Sequence, residues 1–170
     1  MKAILLATIA AIAIQPFVLF AWFLLPVLIA GGHVSPNELF GIPMFAAVLA
    51  VPFVVVVGVP SLLLLRHFKY LSWWSLGTIG LVVAALPVAV YGWSEYAGFS
   101  SAGNWYGTPV DFVVNGQKTL YGWLSYAQSV VFFGLHGFAG ALAFFFVWRR
   151  ALGSNHPFGA DGYAAAQPKR

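Results

Sequence analysis

Apolar residues fill this chain in four long stretches, separated by short clusters of charge, Gly, Ser and Asn. The first stretch covers about 3–30 and is interrupted only by Gln15, Pro16 and Pro26. At about 1.5 Å per residue it exceeds the roughly 30 Å of a hydrocarbon core, so it predicts a membrane-spanning helix that stays in the protein. The rival reading is a signal peptide, with Lys2 as its charged end and Ala11-Ile12-Ala13 as a small-residue cleavage motif. Such segments end in polar residues, whereas this one runs on through apolar ones.

The second helix, about 36–65, has the sharpest start in the chain. Val34-Ser35-Pro36-Asn37-Glu38-Leu39 sets Ser35 at the N-cap, Pro36 at the first helical position and Glu38 at the third position of a capping box. Val34 and Leu39 stand where a hydrophobic staple would be. Pro43, Pro52 and Pro60 each remove a backbone donor and predict kinks. Membrane helices accept this where neighbours satisfy the freed carbonyls. After the basic turn Arg66-His67-Phe68-Lys69 comes a third helix, about 72–94, with Trp73 and Trp74 at one end and Tyr91, Trp93 and Tyr96 at the other. That separation is about 30 Å, the spacing of two aromatic belts. A loop over 95–122 leads to a fourth helix, about 123–148, which stops at Arg149-Arg150.

Inside that loop, Asn115-Gly116 suits a two-residue type I′ turn, because both positions take positive φ. The flanking 111–114 and 117–120 predict a β-hairpin in which Phe112 and Val114 share a face with Gln117 and Thr119. Gly103-Asn104-Trp105-Tyr106-Gly107 has only the composition of a loop. The fold class expected is therefore all-α and integral to a membrane: a four-transmembrane-helix bundle with a small outer-loop β-hairpin. Residues 1–150 form its single domain, and 151–170, rich in Gly, Ala and Pro, predict a disordered cytoplasmic tail.

Composition agrees. Hydrophobic residues make up 61% of the chain and charged ones 7%, whereas a soluble domain carries about a quarter charged. The net charge of +4 does not indicate nucleic acid, because the cations edge the apolar runs instead of forming a stripe interleaved with aromatics. They set orientation instead. Lys2, Arg66, Lys69, Arg149, Arg150, Lys169 and Arg170 fall on one side of a four-span arrangement and Lys118 alone on the other. The positive-inside rule then makes both termini cytoplasmic and sends the 31–38 and 95–122 loops outward. A multi-pass protein of a bacterial inner membrane is expected.

Candidate chemistry is sparse. His136 is the one group titrating near neutrality within a span, at about mid-depth, where ionisable side chains are rare and often functional. The plainer account is a neutral imidazole hydrogen-bonded across the bundle to Gln15 or Thr78. No second histidine lies at its depth to share a haem, since His33 and His67 fall at the interfaces. The absence of cysteine removes thiolate metal sites and the cysteine chemistry of four-helix quinone-linked disulfide oxidoreductases. The absence of a carboxylate within any span disfavours the proton coupling of small four-helix multidrug exporters. No phosphate loop, HExxH or GxSxG motif is present. Gly77, Gly80 and Ala84, with Gly137 and Ala141, form small-residue faces suited to helix packing.

The expectation is thus a protein without catalytic, cofactor-binding or metal-ligating residues, whose partners are the lipid bilayer and a second protein or a second copy of itself. It would work by contact, as an accessory subunit or an immunity-type protein. The alternatives are a small transporter or channel component, and a membrane redox or proton-handling protein using His136. Phe112, Val114, Trp105 and Tyr106 are the candidate partner-facing residues. The competing role for the loop is a set of interfacial anchors, Phe99, Trp105 and Tyr106, lying on the headgroups.

Overall fold

A computed structural model describes residues 2–93 and 97–153. Glu95, Tyr96 and the expected tail beyond Gly153 fall outside the described residues. Four helices are long and apolar enough to cross a membrane: α1 (Lys2–Ile29), α2 (Asn37–His67), α3 (Trp73–Tyr91) and α4 (Leu120–Gly153). Between α3 and α4 stands a three-stranded antiparallel sheet of β1 (Ser101–Trp105), β2 (Thr108–Val114) and β3 (Gln117–Lys118), in the order β1-β2-β3.

The helix starts follow local chemistry. Ser35 and Glu38 exchange hydrogen bonds, the Ser35 amide donating to Glu38 Oε2 at 2.8 Å and the Glu38 amide to Ser35 Oγ at 3.3 Å. Ser72 and Ser75 do the same at the head of α3 (2.9 and 3.1 Å). Such pairs satisfy amides that a helix start leaves without partners. The prolines leave a regular mark. Pro26, Pro43 and Pro60 each follow a π-helical turn: Phe20–Leu24, Asn37–Gly41 and Val54–Gly58. A proline cannot donate to the carbonyl four residues back, and its ring crowds that carbonyl. The carbonyls concerned, on Trp22, Leu39 and Val56, lie within those three turns, so widening the helix there takes up the clash.

Packing centres on α4. Along α3, the small residues interlock: a Cβ on Gly137 would strike the Gly80 carbonyl and Ala84, and one on Gly77 would meet the Phe138 ring. Against α1, a stripe at every fourth residue is buried, Ala3, Ala7, Ala11, Gln15 and Leu19, with Gly140 set against Ala11 and Gln15. The core cluster gathers Ala3, Ala7, Ala11, Leu62, Leu76, Phe144, Phe145 and Trp148, at the end of the bundle that carries Lys2 and Arg149. Helix α2 is the outlier. It leans on α1 and, by its last turns, on α3, and 6% of its most apolar window is buried against 17–28% in the other three.

Several boundaries differ from the sequence reading: α2 runs to His67, not 65, α3 stops at Tyr91, not 94, and α4 differs at both ends. Helix α4 begins at Leu120, not 123, because Thr119 caps it, its Oγ1 accepting from the Gly122 amide at 3.2 Å. It also continues past Arg149-Arg150 to Gly153, so the first residues assigned to a tail are helical.

Candidate functional site

Because α2 stands off from α3 and α4, a cavity of about 400 Å³ runs between them, bordered by all four helices. Its walls are almost wholly aliphatic and aromatic; among the described residues, Gln15, Ser61 and His136 are the only side chains there with strong hydrogen-bonding groups.

Gln15 and His136 do meet at one depth, though not through their side chains alone. Gln15 is 4% exposed. Its Nε2 donates to the Ala11 carbonyl at 2.9 Å and, more weakly, to the backbone carbonyl of His136 at 3.4 Å. The imidazole instead turns back on its own helix, Nδ1 lying 3.1 Å from the Phe132 carbonyl, with the Phe132 ring edge-on at 4.3 Å between centroids. Thr78 is exposed. It lies two residues, about 200° of helix, from the Gly80 contact with α4 and is not brought to His136. No group of three or more His, Cys, Asp or Glu able to hold a metal exists among the described residues.

At the other end of the bundle, the outer segment is a braced sheet. The Asn115-Gly116 turn has positive φ at both residues (52° and 82°), and Val114 pairs with Gln117 and Val113 with Lys118. The loop composition read over 103–107 is corrected: Trp105 pairs with Thr108 across a second tight turn at Tyr106-Gly107, also at positive φ (48° and 91°). Asn104 Oδ1 accepts from the Gly107 amide at 2.6 Å and steadies it. Tyrosine carries no turn signal, which hid this hairpin in the sequence; the spacing of Asn104 and Gly107 was the available hint.

The four partner-facing candidates part into two pairs. Trp105 and Phe112 are half-buried and pack together at 6.2 Å, with Trp105 also 6.5 Å from Tyr121 of α4. Tyr106 and Val114 are open, 80% and 44% exposed. Tyr106 hangs beside α4, where Gln128 Nε2 donates to its hydroxyl at 2.9 Å. Further ties fasten the sheet: Thr119 Oγ1 donates to the Asp111 carbonyl, Gly122 sits directly on the Phe112 carbonyl, and Lys118 Nζ passes over the Trp123 and Tyr126 rings to the Trp93 carbonyl at 3.2 Å. An isolated two-stranded ribbon is marginal in water. A third strand and these anchors supply what it lacks. No family model, curated protein or solved structure matches this chain.

Proposed function

We propose that this chain is a multi-pass protein of a bacterial inner membrane, with both termini cytoplasmic, that acts by contact with another protein or with a second copy of itself. The observation that carries the reading is the braced sheet. Fourteen residues of a connection that needed only to join two spans are instead ordered in three strands and fixed to α4. Rigid elements present a binding surface with less ordering cost than a free loop. Tyr106 and Val114 are its open apolar members, while Trp105 and Phe112 hold the platform in shape. The orientation rests on the charge distribution, with Lys118 facing outward and the remaining cations inward.

The test replaces residues 101–118 with a Gly/Ser linker of equal length and follows insertion and co-purification in mild detergent. Four-span insertion with loss of the partner, or of the oligomer, is the expected result. Full retention of the partner by the sheetless protein overturns the reading.

A further inference from the structure

We infer that the cavity between α2 and the α3–α4 pair binds an apolar molecule headed by a hydroxyl group, taken up sideways from the bilayer and held by Gln15 and His136. A carbonyl oxygen can only accept, so the two carbonyls facing the Gln15 amide, on Ala11 and His136, fix its nitrogen toward them. Its Oε1 is then the free arm, and it has no hydrogen-bond partner among the described residues. Every fully enclosed side-chain polar atom among those residues does have a partner. Oε1 therefore meets open space, and the space Gln15 borders is this cavity.

The same logic fixes the imidazole. Nδ1 faces the Phe132 carbonyl and must carry the proton. In the neutral ring Nε2 is left as an acceptor with no partner among the described residues. These two acceptors, on a wall whose one other polar side chain is the Ser61 hydroxyl, match a ligand that donates. A quinone, an ester or an ether offers only acceptors; an isoprenoid alcohol or a quinol offers an O–H. The remainder of the cavity suits their chains, and about 400 Å³ falls within the range of small-molecule sites. Entry from the lipid requires no polar path, since α2 leaves its flank on α4 open along the bilayer.

The full-length protein in phosphatidylcholine nanodiscs is titrated with tritiated farnesol, against empty nanodiscs, and competed with farnesyl methyl ether, ubiquinol-1 and ubiquinone-1. Saturable farnesol binding is expected, with the ether at least tenfold weaker than the alcohol and the quinone at least tenfold weaker than the quinol. Whichever of farnesol and ubiquinol-1 binds more tightly tells a prenol source from a quinol source. A diazirine-bearing farnesol analogue should label α2 between Ile42 and Val57 and α4 between Phe132 and Gly140 in the unaltered protein. Gln15→Leu should erase the preference for alcohol over ether, and Leu49→Trp, which adds bulk on the α2 wall of the cavity, should abolish binding of both. Farnesol and ubiquinol-1 binding no better than to empty nanodiscs, equal competition by alcohol and ether, or label confined to other segments each overturns the inference.

Discussion

Glycine 137 and glutamine 15 show how single residues set this bundle. With no side chain at Gly137 or Gly80, α3 and α4 approach until backbone meets backbone. Close approach of this kind is what drives helix association where lipid is as apolar as the helices themselves. Gly137→Ala should therefore destabilise the protein by about 1–3 kcal/mol through overpacking, measured as the loss in unfolding free energy in detergent; Gly153→Ala, with open space around it, should be neutral. At Gln15 the hydrogen bonds go to two backbone carbonyls. The residue at 136 supplies its carbonyl whatever its side chain. His136→Asn and His136→Gln should thus be tolerated, and His136→Leu should also leave stability nearly unchanged. Gln15→Leu should cost about 0.6 kcal/mol and at most about 2. A larger loss for His136→Leu than for Gln15→Leu in the same unfolding assay would contradict this assignment.

Among the elements, legibility tracked how local the cause was. The Ser35–Glu38 box and the Asn115-Gly116 turn are written in adjacent residues, and both are present as read. The Tyr106-Gly107 turn was not readable, because tyrosine at positive φ is held there by Asn104 and Gln128, partners that only the folded sheet supplies. Thr119 fits a strand by composition and becomes a helix cap because the sheet ends one residue earlier. The Gln15 and His136 pairing was half visible: their shared depth follows from span lengths, but which atoms meet depends on the rotation of α1 about α4. The stand-off of α2, and with it the cavity, depends on how its two proline-linked π-turns, Asn37–Gly41 and Val54–Gly58, steer a long helix, a non-local outcome. One consequence can be checked at this scale. Gly116 is buried with φ at 82° and its amide donates to the Phe99 carbonyl at 2.6 Å. Gly116→Val should cost about 1–2 kcal/mol in that conformation and open the 101–118 segment to protease, while the helices stay intact by circular dichroism.

For the whole molecule, the four helices form a bundle closed at the end bearing Lys2 and Arg149 and splayed along α2. The alanine stripe of α1 contributes to that closed end. Helix α4, at 34 residues and about 50 Å, is longer than a hydrocarbon core and carries its ends beyond it. Its first turns receive the sheet; its last bear the paired arginines. The central claim is that the chain crosses the bilayer four times with the sheet outside. Alkaline phosphatase, active only outside the cytoplasm, tests it most directly when fused in turn after Gly32, Lys69, Gly103 and Gly153. Activity after Gly32 and Gly103 with none after Lys69 and Gly153 is the predicted pattern, and the reverse pattern, or activity at adjacent sites, would contradict it.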